Sequence, residues 1–349
     1  MVSFENLINK GGLRTTVIRR LRDYSIKPPE LLWSRGWSYF ADHAGNDSFL
    51  YPAYPTRYCV SSLSNLRGAS GLIWLRAGNY PIREDWYQPG STLPLGDIAT
   101  FARDVVNYLG GSTVLLTTDG DMSIPGDLPD GVAESILSDS NISAWFTQNY
   151  DGSLSNNKLR SLPIGLGLHA GGVQRFSGVF GNAKHYTHLK DRLKSKHIRE
   201  NRVWSDTHLR SHPGFHGDPR AILASALNEL QFNITDYPAQ RLTQSDIWKK
   251  YLNYKFVVSL PGHGLDCYRT WEALGLGAIV ITVHSPLDDL LKPYRVIFIE
   301  AKEPKDWLIL NDLDWLASES EKCIHKPLPP LDWDHWLSYV RAPLGLPTT

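Results

Sequence analysis

The stretch Tyr254–Leu291, YKFVVSLPGHGLDCYRTWEALGLGAIVITVHSPLDDLL, reads as strand, glycine-rich turn, helix and strand in close succession. YKFVVSL is an apolar, β-branched run of strand length. Pro261-Gly262-His263-Gly264 breaks it with turn chemistry. TWEALGLG is then helical, and AIVITV, Ala278–Val283, is a second buried strand. Strand, helix and strand in this order predict a parallel α/β unit that binds ligand at the carboxyl ends of its strands. The helix is expected to carry Asp266, Arg269 and Glu272, whose spacing of three stacks them on one face. Gly262 and Gly264 let backbone N–H groups come close to an anion, and a helix N-terminus favours phosphate. Arg269 offers a planar fork of donors for phosphate oxygens. Glu272 offers acceptors to a pair of vicinal ribose hydroxyls, and His263 a donor to a phosphate. Together these groups suit a nucleoside diphosphate sugar. The plainer reading is a structural helix with an Arg–Glu pair beside a turn.

The same alternation continues on both sides. Upstream, GLIWLRAG (Gly71–Gly78), the helical IATFARDVVNY (Ile98–Tyr108, with Asp97 as cap) and STVLLTTDGD (Ser112–Asp121) form another strand–helix–strand series. ESILSDSNISAWFTQNY adds a short helix and a strand, and LRSLPIGLGL, Leu159–Leu168, an apolar run broken by Pro163 and Gly165. A turn-rich segment, Ala170–Ala183, marks a domain boundary. Beyond it come NRVWSDTHL as a strand and Asp218–Leu230 as a helix with Asp218 as cap and Pro219 in its first turn. Tyr294–Glu300 is a last strand. The expected organisation is a first Rossmann-like domain over 1–175, which binds an acceptor, and a second over 176–325, which binds the nucleotide sugar. A closing segment, 326–349 with Trp333 and Trp336, should pack back on the first. Arg220, early in the Asp218 helix, is a second phosphate candidate beside its plain reading as a solvated arginine.

Composition narrows the classes. The 349 residues include 36 Lys+Arg and 36 Asp+Glu, so formal charge is zero, without the basic excess typical of nucleic-acid binders. Three cysteines, Cys59, Cys267 and Cys323, give no disulfide framework and fit a reducing compartment. The N-terminus lacks a signal-peptide pattern, and no apolar run reaches the roughly 18 residues of a membrane span. A soluble, cytoplasmic protein is therefore expected, and the sequons at Asn46, Asn141 and Asn233 read as chance matches. His208, His212 and His216 are spaced by four, but Pro213 and Gly214 interrupt any helix that would align them on zinc.

The Tyr254–Leu287 segment resembles the nucleotide-sugar segment of the exostosin-like glycosyltransferases. Its apolar strand, Pro-Gly turn, Arg269, Glu272-Ala273, glycine, second strand and Ser285-Pro286-Leu287 follow that family's order. AWFTQNYDG followed by LRSLPIGLGL resembles an upstream segment of the same family. The resemblance covers about half of the chain and is thin before residue 70. It implies a GT-B fold of two facing Rossmann-like domains and inverting sugar transfer onto a hydroxyl without a required metal. It also implies donor contacts at Arg269 and Glu272. The expected substrates are a nucleotide sugar, with UDP as the nucleotide, and a glycan acceptor. Within that reading Asp121 or Asp119, at the end of VLLTT, is the candidate general base, with Asp151 and His43 as further positions. Two alternatives stay open. Asp119-Gly120-Asp121 is also the Asp-x-Asp pattern with which GT-A enzymes hold Mn²⁺, and the fold could serve a non-catalytic glycan- or nucleotide-binding module.

Overall fold

The computed structural model describes residues 30–34, 36–44, 63–78, 97–168, 178–194, 198–207 and 218–345. Asn46, Cys59, the boundary expected at 175/176 and the three spaced histidines lie outside these residues. Within them the chain is α/β, with two all-parallel, five-stranded sheets. This architecture is compatible with two Rossmann-like units.

The first sheet runs in sequence order: β1 (His43–Ala44), β2 (Gly71–Gly78), β3 (Thr113–Gly120), β4 (Ile142–Thr147) and β5 (Leu159–Ser161). Both faces are covered, so its central strands are nearly continuous apolar runs. Along them alternate residues go to opposite sides. Ile73, Leu75, Leu115 and Trp145 meet α1 (Asp97–Asp104) and α2 (Val132–Ser138) in an outer core. Leu72, Trp74, Val114, Leu116, Ala144 and Phe146 point into a second, larger core.

The second sheet is ordered β10 (Val296–Ile299), β9 (Ile279–Val283), β8 (Tyr254–Val258), β6 (Glu200–Trp204) and β7 (Thr235–Asp236). Sequence direction reverses between the neighbours β6 and β8, which makes their carboxyl ends a topological switch point. Val203, Phe256, Val258, Ile279 and Ile281 pack outward with α4 (Pro219–Glu229) and α7 (Leu313–Cys323). Trp204, Val257, Val280 and Val296 enter the same large core as the first sheet. That shared core also takes in α3 (Gly178–Asp191), α5 (Gln244–Asn253), α6 (Tyr268–Gly275) and α8 (Trp333–Arg341).

Local chemistry explains several element ends. Asp218 caps α4 by accepting from the Ala221 amide, with Pro219 at the first helical position. Thr243 caps α5 through the Asp246 amide, and Asp332 caps α8 through His335. Two expectations are corrected. The Ala170–Ala183 segment is not turn-rich to its end, because α3 begins at Gly178. α6 begins only at Tyr268, after an N-cap at Cys267, so Asp266 belongs to the turn and not to the helix. The reason is that Asp266 spends both its amide and its carboxylate on long-range bonds, described below. No helix among the described residues is long and apolar enough to cross a membrane.

Candidate functional site

A cavity of about 180 Å³ lies where the carboxyl ends of both sheets meet. From the second unit it is walled by Asp206 after β6, the Gly262–Cys267 turn after β8, the start of α6, and Arg220 of α4. From the first unit come Asp121 after β3, and Ile164 and Gly167 after β5. The β6/β8 switch point thus forms one wall and the other sheet's loops form the facing one.

Two buried arginines supply the positive charge of the second wall. Arg269, on the first turn of α6, donates from Nε to Asp206 Oδ1 at 2.6 Å, both side chains being 7% exposed. Burial works against its charge, but Asp206, with Tyr251 and Cys267, more than offsets this and its pKa stands above the ordinary arginine value. Tyr251 Oη donates to the other Asp206 oxygen at 3.4 Å. Only Nε of Arg269 is engaged among the described residues, which leaves its terminal nitrogens for an anion in the cavity. Arg220 lies flat against Gly262, where a Cβ would come within 2.5 Å of its Nη2. It donates to Leu260 O at 2.9 Å and to Cys267 Sγ at 3.1 Å. Burial lowers its pKa; contact with Cys267 opposes this and the nearby Arg269 adds to it. Gly262 is therefore needed for the approach of a guanidinium, and its own amide donates to Gly264 O at 2.9 Å.

Glu272, one turn along α6 from Arg269, is 3% exposed and lines the cavity. Its Oε1 accepts from the Gly167 amide at 3.1 Å, and Gln244 Nε2 lies 3.0 Å from each carboxylate oxygen. Burial raises its pKa, partly countered by the Gly167 amide and by Arg269. Asp266 is held differently. Its Oδ2 accepts from the Ile164 amide at 2.7 Å and its carboxylate takes the Trp271 indole N–H at 2.8 Å. His263, at the tip of the turn, is exposed and borders the cavity.

On the first wall, Asp121 and Asp119 part company. Asp121 faces the cavity, and burial raises its pKa, with Asp119 adding to the shift and His263 opposing it. Asp119 is 6% exposed and paired with Arg76 at 3.1 Å, while its amide donates to Gln148 Oε1 at 2.9 Å. It is not among the residues that wall the cavity. The structure therefore brings Asp121, His263, Gly262, Gly264, Asp266, Arg269, Glu272 and Arg220 to one cavity and turns Asp119 toward Arg76. Of the further positions, Asp151 accepts from the Gly126 amide and from Ser153, and His43 lies in β1; neither walls the cavity.

Sequence reasoning passed over Asp206, Gln244 and Tyr251, and met Asn149 only as part of the AWFTQNYDG resemblance, without a role. Asp206 was open to the same rule that found Asp121, being an acid just past a strand's carboxyl end. Gln244 carried no such signal, because its role depends on where α5 docks. No protein-family profile matches the chain, and no curated protein matches it either.

Proposed function

We propose that this chain is a glycosyltransferase of GT-B layout, which moves a sugar from a UDP-type donor to a hydroxyl of a glycan acceptor. The carrying observation is one cavity at a topological switch point that combines two buried arginines and an acceptor carboxylate on one wall with a carboxylate of raised pKa on the other. Arg269 and Arg220 would take the diphosphate, and Glu272 the ribose hydroxyls. Asp121 would accept the proton of the attacking hydroxyl as the new bond forms at the anomeric carbon. The nucleoside diphosphate then leaves with inversion, its charge held by the arginines. This is the division of labour that the resemblance to exostosin-like enzymes implies for Arg269 and Glu272.

The test is a UDP titration followed by turnover. The wild-type chain should bind UDP, and Glu272→Ala should weaken that binding by about 1–3 kcal/mol, the cost of losing a charged hydrogen-bond partner. Incubation with UDP-sugars should release UDP in the presence of a glycan acceptor, with EDTA present, because the arginines supply the positive charge. Absence of UDP affinity would remove the reading. Affinity without any release from a panel of donors would leave a binding module instead.

A further inference from the structure

The turn that follows β8 is tied to the first unit at several points, and one of them reaches the segment that carries Asp121. Asn149 follows β4, is fully buried, and has φ +56°, a left-handed conformation that asparagine tolerates better than most residues. Its Nδ2 donates to Gly120 O at 3.0 Å, immediately before Asp121. Its Oδ1 accepts from the Asp266 amide at 2.8 Å, across 117 residues of sequence. The amide also rests on Gly264, where a Cβ would lie 2.6 Å from Nδ2 and 2.8 Å from Oδ1. A single carboxamide therefore touches the first unit's Asp121 segment and the second unit's turn at two places. Gly120 O is held from a second side by the Gln148 side-chain amide. Asp266, in turn, grips Ile164 and Trp271 with its carboxylate.

We infer that Asn149 is a positioning residue that sets the Asp121 segment of the first unit against the Gly262–Asp266 turn of the second, and so fixes the separation between proton acceptor and donor site. The inference rests on the glycosyltransferase reading for its catalytic consequence; the mechanical link stands on the hydrogen bonds alone. A donor and an acceptor on rigid elements need their relative placement kept to well under an ångström, and a displacement of about 1 Å can cost on the order of 100-fold in rate. Both hydrogen bonds need the amide in its observed orientation, which assigns Nδ2 to a carbonyl and Oδ1 to an N–H. Asparagine combines a separate donor and acceptor on a short stem with tolerance of this backbone conformation. Aspartate accepts the backbone but lacks the donor.

Hydrogen exchange of the full chain tests this, comparing wild type with Asn149→Gly and Asn149→Asp. Glycine suits the left-handed backbone and removes both bonds, whereas aspartate keeps the acceptor for Asp266 and loses the donor for Gly120. In Asn149→Gly, without ligand, amides at 119–122 and at 262–266 should both exchange at least about fivefold faster, with the β3 core unchanged. In Asn149→Asp the increase should be confined to 119–122. If Asn149→Gly fails to fold, the aspartate variant alone decides. Unchanged exchange at 119–122 in either variant overturns the inference. So does an increase spread evenly over both sheets, which would mark a general loss of stability. Where UDP-sugar turnover is detected, Asn149→Gly should lose at least about tenfold in kcat while the KM for donor moves less than about twofold. Equal losses in both would likewise overturn the positioning role. Absence of turnover in the wild type would count against the glycosyltransferase reading, and the ligand-free exchange would still decide the link.

Discussion

Asp266 shows how much of this site is seam between units. Its carboxylate is buried and receives the Ile164 amide and the Trp271 indole, both uncharged donors. Burial pushes its pKa up to about 7, and those hydrogen bonds only partly restrain the rise. The sign of the consequence follows from linkage. The folded chain holds this proton more tightly than the unfolded chain, whose carboxyl ionises near its ordinary value of 3.8. Its contribution to stability is therefore fully present below that value and is lost as pH rises toward about 7. Asp266→Asn keeps an acceptor oxygen and cannot ionise. Urea unfolding at about pH 5 and about pH 8 should show the wild type losing more stability than Asp266→Asn across the interval. Equal pH dependence in the two proteins would show that Asp266 does not titrate in this window.

Among the elements, α8 touches residues of both units. Trp333 meets Trp37 edge-on at 5.2 Å, Tyr339 meets Phe146 at 5.1 Å, and Trp336 meets Trp271 of α6 at 6.5 Å. Arg341 adds bonds to Phe40 O and Asp42. Trp336 is buried and donates its indole N–H to Pro330 O at 2.7 Å. Trp336→Ala should cost about 3–5 kcal/mol, the range for emptying a buried aromatic site, and a urea midpoint close to wild type would contradict this. The elements differ in how far the sequence discloses them. β8, β9 and β10 are legible because Val257, Val258, Ile279, Val280, Ile297 and their neighbours form bounded β-branched runs. α4 is legible from Asp218 and Pro219. β1 and β7, of two residues each, have no pattern of their own, since their pairing is granted by β2 and β6. α5 hides its apolar face, Ile247, Trp248, Tyr251 and Leu252, among lysines and polar residues. The start of α6 was misjudged because Asp266 is claimed by Asn149 and Ile164, partners more than 100 residues away. Local propensity carries no information about such bonds. The same limit hid Gln244 and Asn149, whose parts in the site exist only once the units meet, whereas Arg269, Glu272 and the glycines stood together in one stretch.

At the scale of the whole molecule, two sheets point their carboxyl ends at one cavity, with Asp121 on one unit and Arg220, Arg269 and Glu272 on the other. On the proposed reading, the two tasks can then be disabled independently. Asp121 belongs to the first unit and, in the ligand-free cavity, is raised in pKa chiefly by burial. A base must be deprotonated to act, so kcat/KM should rise with pH through a value above the ordinary aspartate value and level off beyond it. Asp121→Asn removes this limb together with the base, and turnover should fall by about 10²–10⁴, the usual contribution of a general base. UDP affinity should stay close to wild type, because the groups proposed to hold the nucleotide all lie on the opposite wall, and loss of the Asp121 charge does not oppose binding of an anion. Arg269→Ala should instead weaken both UDP binding and turnover, since the same guanidinium would meet the diphosphate before and during its departure. It also strands Asp206, its buried partner at 2.6 Å, so Arg269→Lys is the companion variant that keeps a positive charge beside Asp206 while losing the fork of donors. Isothermal titration with UDP and a UDP-release assay on the three variants separate the cases. Near-normal turnover in Asp121→Asn would end its assignment as base. Parallel loss of affinity and turnover in Asp121→Asn would show that the two walls do not divide the work.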